Sequence, residues 1–270
     1  MIQKKILSKY SKTYSNATLF FPKKIRNDIR ILYAFVRTAD NFVDSQVPDK
    51  KGYLKYKKEY ETGISQNKII LDFIELKKRT KIKDEWVDTF FKSMQQDFTK
   101  KIYKNQKEVD EYCYGSAEVI GLMIARILDL PKESYVYAKA LGNYMQRVNI
   151  IRDINEDIKY SRTYIPQDDL TKFGLSSLNK EYVIKNKKAF KLLIDKQIEY
   201  ANEKYLIAKK GYKYIPKESL PAIKTAGDMY KHTLDKIQKN PLIIYKKKVK
   251  PSKTRVIVSA LINKILTWKN

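Results

Sequence analysis

Apolar residues recur about every three to four positions over long stretches of this 270-residue chain, a spacing that places them on one face of an α-helix. The pattern predicts helices near 24–42, 53–62, 66–79, 84–98, 108–128, 132–158, 179–210 and 217–238, and an amphipathic final segment at 256–268. No alternating series typical of β-strands occurs, and only 8 Gly and 8 Pro interrupt the chain. We therefore predict an all-α fold in which residues 1–270 form a single domain.

Two of the predicted helices carry a polar stripe through an otherwise apolar surface. The first stripe consists of Tyr33, Arg37, Asp40 and Asp44, and the second of Gln146, Asn149, Arg152, Asp153 and Asp157. In each stripe the two aspartates lie one helical turn apart on the same face. Such a stripe is costly to bury unless something pairs with it. The residues alone leave two explanations open, which are a salt-bridge network between helices and a site for metal ions bound to an anionic substrate.

The aspartate spacing is not diagnostic by itself. Asp84 and Asp88 have the same spacing, but no Arg, Asn or Gln accompanies them at helical offsets. We interpret this pair as the start of a helix, with Asp84 at the N-cap and acidic side chains favoured in the first turn. In the two stripes, by contrast, Arg37 and Arg152 could bind phosphate oxygens in a bidentate manner.

The charge of the chain indicates an anionic partner. The 56 Lys and Arg residues exceed the 30 Asp and Glu residues, giving a net charge of +26. Nucleic acid or a membrane surface would account for this charge but would leave both stripes unexplained. The single cysteine, Cys113, excludes an intramolecular disulfide, and the single histidine, His232, argues against a His-based zinc site. Any bound metal should therefore be a hard cation with oxygen ligands.

No apolar run reaches the roughly 20 residues of a membrane span, and no signal or transit peptide is predicted. The break at 44–52, which follows the first stripe, could be a mobile flap over a site or an ordinary connector. The small residues within 115–121 could serve core packing or the close approach of a ligand. Mg²⁺ held by the two aspartate pairs would neutralise a diphosphate, and an apolar aromatic-rich cavity would protect a carbocation left by its departure.

These residues resemble the signatures of the squalene/phytoene synthase family of head-to-head prenyl transferases. One family signature resembles Tyr-x-x-x-Arg-x-x-Asp-x-x-x-Asp, here from Tyr33 to Asp44. The other resembles Gln-x-x-Asn-x-x-Arg-Asp-x-x-Glu-Asp, here from Gln146 to Asp157 and including Glu156. Further matching positions are Ser11, Lys12, Thr13, Tyr14, Tyr112, Cys113, Tyr114, Gly115, Arg162, Thr163, Tyr164, Ile165, Pro166 and Tyr230. The resemblance covers about residues 10–240.

The resemblance implies an isoprenoid-synthase-type helical bundle around a central apolar cavity. It also implies Mg²⁺-dependent 1'-1 condensation of two prenyl diphosphates through a cyclopropyl-carbinyl diphosphate intermediate. The expected reaction is phytoene synthesis from geranylgeranyl diphosphate in carotenoid biosynthesis. The alternative is dehydrosqualene or squalene synthesis from farnesyl diphosphate. Mn²⁺ could replace Mg²⁺, and NADPH is expected only if the product is squalene.

The family's functional residues map onto the matching positions. The implied metal ligands are Asp40, Asp44, Asn149, Asp153 and Asp157. The four aspartates are also implied in catalysis, together with Tyr33, Arg37 and Arg152. The implied substrate- and diphosphate-binding residues are Ser11, Lys12, Thr13, Tyr14, Tyr112, Gln146, Asn149, Arg162, Tyr164 and Tyr230. An inactive family member acting as an assembly factor is the non-enzymatic alternative, which the presence of all four aspartates disfavours.

One departure concerns the segment after Tyr112 and Cys113. Many family members carry Ala-Gly-x-Val-Gly there, whereas Glu118 replaces the first Gly of this pattern. Its carboxylate either narrows the pocket or points away from it. The basic block Lys246–Lys250 is a candidate for diphosphate binding. The expected partners are prenyl diphosphates and, peripherally, an anionic membrane surface, but not nucleic acid. The expected location is cytoplasmic, with a peripheral position on the inner membrane surface as an option, and the oligomeric state is left open.

Overall fold

The computed structural model of the protein describes residues 18–45 and 47–269, the last without its side chain. Its α-helices are α1 Lys23–Val43, α2 Lys50–Thr62, α3 Lys68–Thr80, α4 Asp84–Gln96, α5 Gln106–Cys113, α6 Val119–Ile127, α7 Tyr135–Lys159, α8 Gln167–Lys172, α9 Lys180–Lys185, α10 Lys187–Lys209, α11 Leu220–Lys239 and α12 Lys253–Lys269. A π-helical turn, Tyr114–Glu118, joins α5 to α6, and short 3₁₀ turns lie at Lys132–Ser134, Lys210–Tyr214 and Pro241–Tyr245. The described residues contain no β-strand, so the all-α prediction is confirmed.

The observed helices differ from the predicted ones at identifiable residues. The helix predicted over 179–210 is divided at Asn186, whose side-chain Nδ2 donates to the Tyr182 carbonyl oxygen at 2.9 Å. This side-chain bond competes with the helical backbone ladder. The expectation that Asp84 caps α4 is wrong, because Lys83 occupies the N-cap position in an extended conformation. Asp84 is instead the first helical residue and pairs with Lys77.

Two apolar cores lie on either side of a central cavity. The first joins α1 to α4 with α6, and includes Phe35 stacked on Phe73 with ring centroids 3.7 Å apart. The second joins α5 with α7 to α11, and includes Tyr144 stacked on Tyr205 at 4.5 Å. Residues from both cores line the cavity, as the predicted helical bundle around a central apolar cavity requires. Within the described part of the chain, every helix is too short or too polar to cross a membrane.

The π-helical turn and α6 approach α7 closely. A Cβ atom built on Gly121 would lie 2.3 Å from the Ala138 carbonyl oxygen, and one built on Gly142 would lie 2.4 Å from the Ala117 carbonyl oxygen. Backbone atoms cannot yield as a flexible side chain can, so glycine is required at both positions for this packing. Both glycines also line the cavity. The small residues here therefore serve helix packing and shape the cavity wall at once.

Candidate active site

The two polar stripes run along α1 and α7 from near the middle of each helix toward its C-terminus, and they line one cavity of about 740 Å³. The predicted site residues that line it are Tyr33, Arg37, Asp40, Asp44, Tyr112, Gln146, Asn149, Arg152, Asp153, Asp157, Arg162, Tyr164 and Tyr230. The remaining predicted residues Ser11, Lys12, Thr13 and Tyr14 lie outside the described part of the chain. The exposed pair Asp84 and Asp88, which shares the aspartate spacing, is not part of the lining among the described residues.

The rest of the cavity lining is largely apolar. Its walls include Leu32, Val36, Ile120, Ile124, Leu141, Met145, Ile223 and Met229. These side chains come from α1, α6, α7 and α11. The cavity therefore combines charged groups with a water-excluding apolar region, an arrangement suited to a ligand with an ionic head and a hydrocarbon tail.

In the first stripe, the Arg37 guanidinium donates to Asp40 Oδ2, three residues further along the same helix. Burial raises the pKa of Asp40 to about 6, although Arg37 opposes this shift. Asp44 follows the last residue of α1, and its backbone N–H donates to the Asp40 carbonyl oxygen at 2.9 Å. The last turn of α1 thus places the two aspartates one helical turn apart.

In the second stripe, Arg152 forms a fork with the adjacent Asp153, its Nε donating to Asp153 Oδ1 at 2.8 Å and its Nη2 to Oδ2. Lys248 Nζ lies 3.1 Å from Asp153 Oδ1 and also contacts Glu156. Burial acts to raise the pKa of Asp153, but Arg152 and Lys248 together hold it below the ordinary value. Asp153 is therefore kept ionised despite its burial.

Arg162 connects the two stripes. Its Nη2 donates to Asp157 Oδ1 at 2.9 Å and to Asp44 Oδ1 at 3.2 Å, so one guanidinium nitrogen reaches both walls. The arginine is only 6% exposed. Burial raises the pKa of Asp157 to about 7, against the opposing effect of Arg162. The segment between α7 and α8 thus places a buried cation where the carboxylates of α1 and α7 converge.

A buried acidic residue that was not predicted, Asp97, lies beside this arginine. The Tyr164 hydroxyl donates to Asp97 Oδ1 at 2.7 Å and the Tyr112 hydroxyl to Oδ2 at 3.0 Å. Arg162 Nη1 lies 4.0 Å from Asp97 Oδ1. Burial raises the pKa of Asp97, while Arg162 and the two tyrosines oppose it. Asp97 therefore orients two tyrosines that were predicted only to bind substrate.

The structure shows where the basic block Lys246–Lys250 and Glu118 lie relative to the cavity. Lys248 and Lys250 of the basic block reach the cavity lining, and burial together with Lys248 lowers the pKa of Lys250. Glu118 does not line the cavity within the described residues, but accepts a hydrogen bond from Asn143 Nδ2 at 2.7 Å. Asn143 Oδ1 in turn accepts from Arg147 Nε at 2.7 Å. Glu118 thus points away from the cavity rather than narrowing it.

The donor chemistry of the stripes fits a hard divalent cation. Asn149 Oδ1 is buried and has no hydrogen-bond partner among the described residues, as an unused ligand oxygen would. The neighbouring carboxylates supply further oxygen donors of the kind that Mg²⁺ prefers. In the described part of the chain, however, no three acidic, His or Cys side chains converge on one point. Arg37, Arg152 and Arg162 hold the carboxylates apart as ion pairs instead.

Comparison with known proteins first defines the class of fold. The structure superimposes on a crystallised dehydrosqualene synthase with a TM-score of 0.88 and 22% sequence identity, covering 100% of this chain and 96% of that one. The protein thus has the all-α isoprenoid-synthase fold. The family follows from the sequence: the squalene/phytoene synthase family model matches residues 7–255, and the chain belongs to this family.

Curated relatives include phytoene synthases of plants and bacteria. The chain is 26% identical to the chloroplastic phytoene synthase 1 of Solanum lycopersicum over 94% of its own length, and 24% identical to the 15-cis-phytoene synthase of Synechocystis over 92%. It spans 65% of the tomato protein and 79% of the cyanobacterial one. The chain thus spans just under two thirds of the length of the plant relative.

Proposed function

We propose that the cavity catalyses the Mg²⁺-dependent head-to-head (1'-1) condensation of two prenyl diphosphates through a cyclopropyl-carbinyl diphosphate intermediate. The observation that supports this most directly is the pair of aspartate stripes on two helices that line one largely apolar cavity, connected by Arg162. The salt-bridge alternative accounts for the ion pairs. It does not account for a cavity of about 740 Å³ beside them, or for the unpartnered oxygen of Asn149 among the described residues.

The charged and polar residues of the site would bind either the metal ion or the phosphate oxygens. Asp40, Asp44, Asn149, Asp153 and Asp157 would hold Mg²⁺, which when bound neutralises the diphosphate and makes it a better leaving group. Arg37, Arg152, Arg162 and Lys248 would bind the phosphate oxygens through charge-assisted hydrogen bonds.

The apolar and aromatic walls would serve the carbocation that remains after the diphosphate leaves. Tyr33, Tyr112 and Tyr230 offer π faces that stabilise positive charge, and Ile120, Ile124 and Leu141 exclude water. Burial raises the pKa of Tyr112 and of Tyr230, so both phenols stay neutral and do not react as phenolates. These two side chains can therefore face the cation without attacking it as phenolates.

Phytoene formation from geranylgeranyl diphosphate is the product assignment we propose, because the curated relatives described above are named phytoene synthases. Dehydrosqualene or squalene formation from farnesyl diphosphate is the alternative, which the structural likeness to a dehydrosqualene synthase favours. NADPH would be required only for squalene.

The test is incubation of the purified protein with each prenyl diphosphate, with and without Mg²⁺, followed by mass spectrometry of the products. Asp153→Asn should reduce turnover about 100-fold or more, since it removes a carboxylate that would hold Mg²⁺ against the reacting diphosphate. Asp88→Asn is the matched control, since Asp88 has the same spacing from its partner aspartate but is exposed. Absence of both hydrocarbon and cyclopropyl intermediate with every prenyl donor would refute the proposal and favour the inactive assembly factor.

A further inference from the structure

The last helix presents an apolar face to solvent. On α12 the large hydrophobic side chains that are 46–64% exposed are Ile257, Val258, Leu261, Ile262, Ile265, Leu266 and Trp268. With an advance of about 100° per residue they cover roughly half of the helix circumference. Elsewhere among the described residues the exposed large hydrophobic side chains form no comparable run; α10, for example, carries Leu192 and the neighbours Leu206 and Ile207. A continuous apolar surface of this kind marks a site that contacts another apolar phase or partner.

Polar side chains hold the inner face of α12 to the protein. Asn263 Nδ2 donates to Asp228 Oδ2 at 2.7 Å and to Thr225 Oγ1 at 3.2 Å, and the Ser259 hydroxyl donates to the same Asp228 oxygen at 3.1 Å. Val256 and Ala260 are buried on this inner face, but the other large hydrophobic side chains of α12 point outward, unlike the usual arrangement of a surface helix. The exposed hydrophobic residues do not anchor the helix, so their presence needs an external reason.

The charge around α12 indicates what that external contact is. Residues 246–269 contain no acidic side chain, while Lys253, Arg255, Lys264 and Lys269 lie on α12 itself. Basic residues beside an apolar helical face favour the interface of an anionic bilayer, where the apolar side enters the acyl region and the cations contact headgroups. The 17-residue helix is about 25 Å long, and it fits a position in the membrane plane better than a span.

The helix also lies next to the rim of the cavity. Lys250 and Pro251 line the cavity, and α12 begins two residues later at Lys253. Val256 on the inner side of α12 packs against Met229, which lines the cavity as well. We propose that α12 lies in the interface of an anionic lipid bilayer and holds the cavity rim at the membrane, so that prenyl chains pass between bilayer and cavity. The passage of prenyl chains rests on the proposed function, whereas the membrane contact does not.

Trp268 offers a direct readout of this contact. The chain has two tryptophans, and Trp86 is 4% exposed in the core whereas Trp268 is 64% exposed on the α12 face. Vesicles of phosphatidylcholine with phosphatidylglycerol should shift the tryptophan emission of the full chain to the blue, and brominated acyl chains should quench it. The Trp268→Phe variant should show neither change. An emission unchanged by anionic vesicles at low salt would overturn the proposal.

Flotation with the same vesicles tests the face itself. Leu261→Glu combined with Ile265→Glu should weaken vesicle binding by about tenfold or more, because both side chains leave the acyl region. The matched control combines Leu192→Glu with Leu206→Glu, which makes the same charge change at side chains 56% and 59% exposed on α10. The control should bind within about twofold of the unaltered chain. An equal loss in both variants would show that net charge alone drives binding, and would refute the role of α12.

A second copy of this chain is the competing occupant of the face. If a second copy covered this face, sedimentation would show a dimer that is lost in the variant with both Leu261→Glu and Ile265→Glu. Vesicle binding in the flotation assay would then be the same for that variant as for the unaltered chain. Turnover of detergent-dispersed substrate by the same variant separates this proposal from the proposed function. We expect that turnover to be retained, because neither side chain lines the cavity in the described part of the chain. Vesicle binding is measured without substrate. A protein that binds vesicles but does not turn over prenyl diphosphates would therefore refute the proposed function and leave the membrane contact standing.

Discussion

Removal of the Arg162 guanidinium should destabilise the protein strongly, and more so at high pH. The substitution Arg162→Gln keeps much of the side-chain length but removes the charge that connects Asp44 on α1 with Asp157 on α7. Asp97 would also lose its nearest cation, at 4.0 Å. The buried carboxylate of Asp157 would then lose its cation, while Asp97 would keep only its hydrogen bonds from Tyr112 and Tyr164.

The magnitude follows from the burial of the arginine. Loss of one partner of a buried ion pair costs about 3–5 kcal/mol, because the remaining charge stays desolvated. For domains of roughly 150–250 residues each kcal/mol corresponds to about 2–4 °C in Tm. Arg162→Gln should therefore lower the Tm at pH 8 by about 6–20 °C. Arg162→Lys should recover part of this loss, since it restores the charge without the fork.

Thermal unfolding at pH 8 and pH 5 is the assay. The pKa of Asp157 is about 7 with Arg162 present, and the loss of that cation would raise it further. At pH 5 Asp157 would be protonated, so the loss of stability should be smaller than at pH 8. Lys191→Gln is the control, since the Lys191 side chain is 57% exposed in its ion pair with Asp195 and such pairs contribute less than about 1 kcal/mol. An Arg162→Gln variant as stable as the unaltered chain at pH 8, or equally destabilised at both pH values, would refute the reasoning.

Three further outcomes follow from the structure. Burial raises the pKa of Asp157 from 3.8 to about 7 and the pKa of Asp40 from 3.8 to about 6. Between 3.8 and these raised values, the folded metal-free protein therefore binds more protons than the unfolded chain. Its urea stability should therefore decrease from pH 5 to pH 8, and Asp157→Asn should flatten that slope; an unaltered slope would contradict the assignment. Gly142→Ala should cost about 1–3 kcal/mol in urea unfolding, since its Cβ would lie 2.4 Å from the Ala117 carbonyl oxygen, and full stability would show that α7 can shift. Glu118→Gln should leave turnover and product length within about twofold in a steady-state assay, because Glu118 lies outside the cavity lining; a changed chain length would place it in the pocket.

The sequence could predict those features whose cause is local. The first stripe-bearing helix was predicted at 24–42 and observed at Lys23–Val43, because apolar spacing along one helix is enough to define it. The π-helical turn Tyr114–Glu118 could not be predicted, since it depends on packing against other helices. There Gly115 approaches Ser93 on α4 so closely that an added Cβ would lie 2.6 Å from the serine Cβ.

The site residues, too, divide into those defined by a local pattern and those that depend on contacts distant in the chain. The two stripes could be predicted because each is periodic within one helix, whereas their functional roles still await the experiments above. Asp97 was missed because its partners Tyr112 and Tyr164 lie 15 and 67 residues away in the chain. One signal was present: Asp97 continues the buried stripe formed by Phe90 and Met94, a position that favours an apolar residue.

The charges around the cavity determine how its ligands can enter. Among the described residues the lining holds six carboxylates and five Arg or Lys side chains, so the fixed charges nearly cancel. A diphosphate alone would meet the carboxylates, and Mg²⁺ alone would meet the guanidinium groups that now hold them. Either approach costs repulsion in a poorly solvated site. If the cavity has the proposed function, Asp40 and Asp153 would hold Mg²⁺ in place of Arg37 and Arg152, and these two guanidinium groups would then be available to bind phosphate oxygens.

This exchange predicts reciprocal coupling between the two ligands. Each should raise the affinity of the protein for the other by the same factor, typically about 5- to 150-fold for coupled sites. Calorimetry with inorganic pyrophosphate, at several fixed Mg²⁺ concentrations, measures that factor without turnover. Because Mg²⁺ also binds pyrophosphate in solution, Arg152→Gln provides the comparison: loss of the guanidinium should reduce the coupling and not merely the affinity. An equal pyrophosphate affinity with and without Mg²⁺ would mean that the arginines bind the anion while still paired with the aspartates, and the proposed exchange would then be wrong.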